Sequence, residues 1–219
     1  MPKSLSLTDK AYEYIKEQIM LQVLLPGYPL NEVQISEALG MSRTPVRDAF
    51  KRLETDGLVE IIPRRGTFIK SLTPNELVMY YEVSEGLEGM LAFHIARRIK
   101  NGELDKASLD VIKKHIDDMD EYYDSDQPQQ WVNSDEAFHA ELYTFCENHV
   151  LVESLSRVRS HFNRVSWFIT PRYVNRKLSN DEHRELYECL VAGDAEKARQ
   201  VAQKQRARIR EQIRSFCEI

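Results

Sequence analysis

The chain has few of the residues that would mark it as secreted or membrane-bound. It holds only three cysteines in 219 residues, Cys146, Cys189 and Cys217, with no CxxC spacing. An odd, scattered set of thiols is typical of a reducing compartment and not of a disulfide framework or a zinc knuckle. No run of about 18 apolar residues occurs, so the sequence predicts no transmembrane helix. Residues 1–6 lack the apolar core of a signal peptide, and we expect a cytoplasmic protein.

The chain also lacks an overall positive charge. Its formal net charge is −5 at pH 7, which excludes a protein that is basic throughout. Between residues 43 and 70, however, seven basic side chains stand against four acidic ones, a local charge of +3. A basic segment on an acidic chain favours a localised phosphate-binding surface. An ordinary solvated surface would carry the same charge, so the pattern leaves both interpretations open.

The first part of the chain shows three helical patterns separated by turn residues. Apolar side chains recur every three or four positions in residues 8–22, which predicts a first helix. A short second helix is predicted over 32–39, and a third from the cap Ser42 to about Asp56. Two short helices joined by a tight turn match the plan of a helix-turn-helix.

Two strands are predicted directly after the third helix. Residues 58–62 and 67–70 are rich in β-branched and aromatic side chains, and the link 63–66 is short enough for a hairpin. Three helices followed by a hairpin predict a winged helix-turn-helix.

The third predicted helix has two chemically different sides. Its apolar stripe comprises Val46, Ala49, Phe50 and Leu53. The other side carries Arg43, Thr44, Arg47 and Lys51. A recognition helix needs this layout, because its N-terminal residues reach base edges in the major groove and an arginine fork can grip guanine O6 and N7 together. Any single arginine is also compatible with an ordinary surface.

We therefore expect a DNA-binding surface that combines this helix with the hairpin. Two arginines at the hairpin tip, Arg64 and Arg65, would extend it to phosphates or to the adjacent minor groove. The candidate DNA-binding residues are Ser42, Arg43, Thr44, Arg47, Lys51, Arg64, Arg65 and Gly66.

Beyond residue 73 the pattern becomes purely helical. Six helical segments are predicted, at about 75–100, 103–124, 128–147, 150–169, 179–192 and 194–216. This shift marks a domain boundary. We expect a mainly α fold, with a winged helix-turn-helix DNA-binding domain in residues 1–73 and an all-helical bundle of six to seven helices in 74–219.

Polar residues interrupt the apolar faces of three of these helices. Asp135 falls within the apolar stripe of the third segment, and His139 follows one turn later. His183 and Gln205 share apolar faces in the fifth and last segments. A buried carboxylate is costly unless it is paired or bound to a metal. We expect one interior site, which holds a divalent metal, a small organic ligand without metal, or only a hydrogen-bond network.

The first 70 residues also resemble a known family. Residues 39–49 read LGMSRTPVRDA, which closely resembles the LGVSRTPVREAL signature of the GntR family of regulators, and the resemblance extends over 8–70. It implies a ligand-responsive transcription regulator, by default a repressor, that binds a palindromic double-stranded DNA operator as a homodimer.

The helical part resembles the FCD-type ligand domain of the FadR subfamily over about residues 75–216. The matching stretches are 135–142, 182–186 and 193–198. The resemblance implies an effector-binding and dimerisation domain that often holds a divalent metal, zinc or nickel, through one aspartate and three histidines. Asp135, His139 and His183 match the first three of these ligands.

Two positions depart from that pattern. The fourth ligand position is Gln205, and glutamine binds zinc or nickel more weakly than imidazole does. His161, on the fourth segment, is the alternative ligand. Ser84 stands where many relatives carry an arginine that grips an effector carboxylate. We expect an effector pocket around Ser84, Gln205 and His161, and the resemblance implies a small organic acid as the effector.

Two other classes of protein share some of these features. Hydrolases also carry metal–Asp–His clusters, but this chain has no HExxH motif, no glycine-rich phosphate loop and no nucleophile motif. The sequence therefore predicts that the chain is not an enzyme. A constitutive DNA-binding protein whose helical domain only dimerises is the remaining alternative.

Overall fold

The computed structural model describes residues 6–21, 23–70, 73–160 and 175–217. The chain divides into two compact units, Met1–Thr73 and Pro74–Ile219. Each unit is built around its own apolar core. The fold is mainly α with one small sheet, which confirms the expected fold class.

The described part of the first unit has three helices and a three-stranded antiparallel sheet. Its elements are α1 (Leu7–Met20), β1 (Pro29–Leu30), α2 (Glu32–Ala38), α3 (Arg43–Thr55), β2 (Val59–Ile62) and β3 (Gly66–Ile69). The strand order is β1-β3-β2, with Thr67 between Leu30 and Ile61. The hairpin of β2 and β3 was predicted. The prediction missed β1, because two residues are too short to show an alternating pattern.

Side chains at the helix starts explain where α1 and α2 begin. Ser6 and Asp9 form a capping box, in which the Asp9 N–H donates to Ser6 Oγ at 3.0 Å and the Ser6 N–H donates to Asp9 Oδ2 at 3.1 Å. Asn31 caps α2 by accepting from the Val33 N–H at 2.9 Å. Ser42 is the N-cap of α3, but its side chain makes no capping hydrogen bond.

Helix α1 packs on α3 and keeps the apolar side of α3 inside the unit. Side chains with no exposed surface at this contact are Ala11, Ile15, Val46, Ala49 and Leu53. Burial stabilises each of the larger ones by about 1.5–3 kcal/mol. The guanidinium of Arg52 lies 4.1 Å from the centroid of the Tyr12 ring, a cation–π contact that further ties α3 to α1.

In the described part of the second unit, all regular secondary structure is helical. Its elements are α4 (Pro74–Lys100), a 3-10 turn (Lys106–Leu109), α5 (Asp110–Asp124), α6 (Pro128–Thr144), α7 (149–160), α8 (Arg176–Ala192) and α9 (Ala195–Cys217). The later part of the predicted fourth segment, residues 161–169, lies outside the described residues.

Some helix bounds differ from the predicted ones for local reasons. The segment predicted from residue 103 begins with the 3-10 turn, which Asp105 caps by accepting from the Ala107 N–H at 3.0 Å. Helix α8 begins at residue 176 instead of 179, because Asn175 accepts from the Leu178 N–H at 3.1 Å and so provides an earlier cap.

Two contacts fix the helices of the second unit against each other. Trp131 on α6 is 1% exposed and donates from Nε1 to Asn180 Oδ1 on α8 at 2.8 Å. Gly193, in the turn before α9, has φ +69, and a Cβ there would lie 3.1 Å from the Lys100 backbone. Glycine thus lets the end of α4 approach this turn. In the described part of the chain, every helix is too short or too polar to cross a lipid bilayer.

Candidate DNA-binding surface and interior polar site

The solvent side of α3 carries the predicted cationic residues. Arg43, Thr44 and Arg47 are exposed, and 59% of the Arg47 side chain is accessible to solvent. All three lie in the first two turns of α3, directly after Ser42. The helix therefore offers polar side chains from its N-terminal half, as a recognition helix requires.

The hairpin places the other predicted residues on the surface of the same unit. Arg64, Arg65 and Gly66 are exposed at the turn between β2 and β3, where Arg64 adopts φ +64. Neither arginine forms an ion pair with another described residue. Lys51 on α3 is also exposed, and its Nζ lies 3.1 Å from Asp48 Oδ1, a surface pair that contributes about 1 kcal/mol at most.

A carboxylate from the neighbouring helix holds Arg47. The Arg47 Nε donates to Glu32 Oε2 at 2.5 Å, and Nη2 donates to Glu32 Oε1 at 3.3 Å. These hydrogen bonds and the charge of Glu32 raise the pKa of Arg47 above its ordinary value. The pair lies at the surface, so the guanidinium is restrained but not withdrawn into the core.

Three of the predicted interior residues come together in the second unit. Asp135 and His139 lie one turn apart on α6, and His183 faces them from α8. The distances are 3.4 Å from His183 Nε2 to Asp135 Oδ1, 3.4 Å between the two His Nε2 atoms, and 3.9 Å from His139 Nε2 to Asp135 Oδ1. Ligands about 2.1 Å from a tetrahedral zinc ion are about 3.4 Å apart. This Asp-His-His cluster therefore fits three ligands of a divalent metal.

Burial sets the protonation of the Asp-His-His cluster. His139 and His183 are 2% and 1% exposed, and burial, followed by the charges of Arg206 and Arg159, holds the pKa of both imidazoles well below its usual value. Both rings are therefore neutral at pH 7, which is the form that binds a metal. Burial raises the pKa of the Asp135 carboxyl, although the same two arginines oppose that shift.

A buried ion cluster that the sequence analysis missed lies beside the Asp-His-His cluster. It consists of Glu88 on α4, Arg159 on α7 and Arg206 on α9, each 6% exposed or less. Arg206 Nε donates to Glu88 Oε2 at 2.7 Å, and Arg159 Nη1 lies 3.6 Å from Glu88 Oε1. Ser84 Oγ also donates to Glu88 Oε1, at 2.9 Å. One carboxylate thus faces two guanidinium groups.

Arg206 connects the two clusters. Its Nη2 lies 3.0 Å from His139 Nδ1 and 2.5 Å from His139 Nε2. A nitrogen this close to both ring nitrogens lies over the face of the ring and not along either lone pair. The contact therefore leaves the plane of the His139 ring, in which its nitrogen lone pairs lie, to other partners.

The three residues predicted to line an effector pocket have different surroundings. Gln205 is 3% exposed and directly precedes Arg206, and its Nε2 has no hydrogen-bond partner among the described residues. A buried amide without a partner is costly, so this position suits a bound polar group. Ser84 is fully buried and donates to Glu88. His161 lies outside the described residues.

Comparison with known proteins assigns both units to families. A model of bacterial regulatory proteins of the gntR family matches residues 7–69, and a model of the FCD domain matches residues 79–206. An uncharacterized HTH-type transcriptional regulator of Agrobacterium vitis is 35% identical over 132 residues, which cover 60% of this chain and 76% of the relative.

Two further relatives cover most of the chain. The HTH-type transcriptional repressor RspR of Escherichia coli is 20% identical over 96% of this chain and 90% of its own length. A probable D-xylose utilization operon transcriptional repressor of Paenarthrobacter nicotinovorans is 25% identical over 88% of this chain and 82% of its own length.

Solved structures agree on the fold. McbR/YncC of E. coli superposes with a TM-score of 0.75 at 21% identity and covers 98% of both chains. A putative GntR transcriptional regulator from Rhodococcus sp. RHA1 superposes with a TM-score of 0.77 at 23% identity and covers 96% of this chain and 99% of its own.

A winged helix-turn-helix unit and a helical unit with a polar interior define a DNA-binding transcription regulator with a sensing domain. The FCD model alone matches more than half of the chain. The chain therefore belongs to the GntR family of bacterial regulatory proteins and carries an FCD domain. It is a transcriptional regulator and not an enzyme, as the sequence predicts. Regulators of this kind bind DNA and take up small-molecule effectors through the FCD domain.

The buried ion cluster generates a prediction about stability. Glu88→Gln removes the carboxylate that pairs with both buried guanidinium groups, which should lower the free energy of unfolding of the helical unit by about 3–5 kcal/mol. Urea denaturation followed by tryptophan fluorescence reports this unit alone, since both tryptophans lie in it.

Glu85→Gln is the matched control. Glu85 also accepts from an α9 arginine at 2.7 Å, Arg210 Nη1, but this pair is partly exposed, with side chains 27% and 19% accessible. Its loss should cost about 1 kcal/mol or less. Equal losses of unfolding free energy in the two variants would contradict the prediction that the buried carboxylate of Glu88 stabilises the helical unit more than the partly exposed one of Glu85.

Proposed function

We propose that the chain is a repressor that binds a palindromic DNA operator as a homodimer and releases it when a small molecule binds the helical domain. The observation that carries this proposal is the two-sided α3, with a buried apolar stripe and exposed Arg43, Thr44 and Arg47. A helix anchored in this way can insert its N-terminal half into the major groove. The names of RspR and of the D-xylose operon relative favour repression over activation.

In this proposal α3 reads base edges while neighbouring groups contact phosphates. The proposed contact residues are Ser42, Arg43, Thr44, Arg47, Lys51, Arg64, Arg65 and Gly66. Arg43 has no ion-pair partner in the described part of the chain, which leaves its whole fork for guanine or phosphate. The hairpin arginines suit the phosphate backbone or the adjacent minor groove.

An exposed apolar stripe on α4 supports the homodimer. Met79, Val83 and Met90 are 63%, 52% and 39% exposed, and their spacing places them on one side of the helix. Gly86, which lies between them, has open space around it. A second copy of the chain packed on this stripe would remove it from water, and a two-fold pair offers two recognition helices to the two halves of a palindrome.

The effector site of this proposal is the Asp-His-His cluster with the residues around it. Asp135, His139 and His183 would hold a divalent metal such as zinc or nickel, with Gln205 at the fourth position. A bound metal supplies a Lewis-acidic centre for a carboxylate of the effector. Arg159 and Arg206 add positive charge beside the cluster, which suits an organic acid better than a neutral or cationic ligand.

Helix α4 offers a route from this site to DNA. Its inner face carries Glu88, a member of the buried ion cluster, and Ser84, which donates to Glu88; its outer face carries the apolar stripe. A ligand that binds one packing of α4 more tightly than another shifts the population toward that packing. A changed dimer contact would then alter the spacing of the recognition helices, which couples effector binding to operator affinity.

The DNA-binding assignment predicts the effect of removing single arginines. Arg43→Ala and Arg47→Ala should each weaken binding to a duplex selected by the parent protein from a random pool by about 5- to 150-fold, because a bidentate arginine–base contact contributes about 1–3 kcal/mol. Titration in gel-shift assays measures this change. Lys113→Ala, which removes an equal charge from the exposed face of α5, is the control and should bind as the parent does. Parental affinity in both arginine variants would refute the role of α3.

The metal proposal predicts a composition. Parent protein purified with zinc or nickel and then dialysed should retain about one ion per chain by elemental analysis, and Asp135→Ala should retain almost none, because a carboxylate ligand is lost. Glu141→Ala, on the same helix but outside the cluster, should match the parent. Equal metal content in parent and Asp135→Ala would overturn the site, and a parent without metal would favour the metal-free pocket.

The dimer proposal predicts a change in mass. The parent should sediment at twice the 25.6 kDa of one chain. Val83→Asp should raise the dimer Kd by roughly 100-fold or more, because it would bury an unpaired carboxylate. Val111→Asp, at an exposed apolar position on α5, is the control. A Val83→Asp variant that stays as dimeric as its control would locate the interface elsewhere.

A further inference from the structure

The contact between Glu32 and Arg47 is the observation from which a further role follows. Glu32 is the first residue of α2, and Arg47 is the fifth residue of α3. Both oxygens of the carboxylate are used, at 2.5 Å to Nε and 3.3 Å to Nη2. The carboxylate therefore grips one particular edge of the guanidinium group, the side formed by Nε and Nη2.

This mode of pairing leaves the other edge of the fork unoccupied. A guanidinium group has five N–H donors in one plane, and Glu32 accepts two of them. One hydrogen of Nη1 and the second hydrogen of Nη2 form the terminal edge of the group, which has the spacing needed to donate to guanine O6 and N7 together. The carboxylate thus restricts the rotation of the fork without blocking the edge that reads a base.

The charge of the pair argues against a general phosphate contact. Glu32 cancels the charge of Arg47, and a carboxylate at this surface also repels the DNA backbone. Arg43, four residues earlier on the same helix, has no such partner among the described residues. A carboxylate beside an exposed arginine therefore weakens the attraction to DNA in general. Its presence is better explained if Glu32 orients the guanidinium group of Arg47.

We propose that Glu32 is a positioning residue that sets the base preference of the regulator by presenting the free edge of Arg47 to a guanine. The inference rests on the proposed role of α3 as the recognition helix. It assigns to the first residue of α2 an effect on specificity, exerted through Arg47 and without contact to the DNA.

Base preference, and not affinity alone, tests this role. The parent selects a duplex from a random pool, and binding is then measured to duplexes in which each guanine of the half-site is replaced in turn. Glu32→Gln should reduce the preference for guanine at one position by at least about fivefold, toward the lower end of what a bidentate contact supplies. Its affinity for an unrelated duplex should stay equal or rise, because a negative charge is removed.

Two companion variants make the result specific. Glu37→Gln removes the same charge from the same helix, but Glu37 is exposed and has no ion-pair partner in the described part of the chain; its base preference should match that of the parent. In an Arg47→Ala background, Glu32→Gln should change nothing further at that base position, since the group that it orients is absent.

The outcomes separate this inference from the proposal beneath it. Arg47→Ala that binds DNA as the parent does would refute the recognition role of α3. A different result would overturn only the positioning role of Glu32: the Arg47→Ala variant loses the guanine preference, while the Glu32→Gln variant keeps it. The positioning role would also be overturned if Glu32→Gln bound all duplexes more tightly by the same factor. The carboxylate would then only weaken DNA binding in general, through its negative charge. Circular dichroism of the near-isosteric Glu32→Gln variant checks that the fold is retained.

Discussion

Burial of the apolar stripe on α3 is the constraint on which the proposed DNA-binding surface depends. Val46 and Leu53 are fully excluded from water, and a rotation of the helix that exposed them would cost about 1.5–3 kcal/mol for each side chain. The helix therefore presents one fixed side to solvent, and Arg43 and Arg47 lie on it. Since the buried side of the helix sets this orientation, the exposed residues can differ among regulators without a change of fold, which is what recognition of different operators requires.

The helical domain has the opposite arrangement, with charges inside and an apolar stripe outside. Glu88 is one carboxylate facing two guanidinium groups, and burial together with the charges of Arg206 and Arg159 keeps His139 and His183 neutral. Neutral imidazoles are the form that a metal needs. The two arginines also repel a cation, so the buried ion cluster both keeps the imidazole lone pairs free of protons and opposes the ion that would bind them.

Periodicity was sufficient to predict the helices that are long and one-sided. It also predicted that Asp135, His139 and His183 lie on inward helix faces, and the structure brings these three residues together. It was insufficient for Arg206, which occupies the stripe of α9, because arginine is almost never fully buried unless it is paired. Its partner Glu88 is 118 residues away, and no local pattern relates residues at that separation. For the same reason the pair of Glu32 with Arg47 required the packing of α2 against α3, which spacing along the chain does not give.

The charges on the inner side of α4 connect the proposed effector site with the apolar stripe on the outer side of the same helix. A dication in the Asp-His-His cluster would raise the positive charge beside Arg206 beyond what the carboxylates of Asp135 and Glu88 offset. An anionic effector of the proposed kind would restore the balance, so metal and organic acid would bind more tightly together than separately. Glu88 lies on α4, and so do Met79 and Val83 on the outer side of the helix. A change in the charge around Glu88 would therefore act on the helix that carries this apolar stripe. In the proposed mechanism, a repacking of α4 would carry the effect of the ligand to the proposed dimer contact.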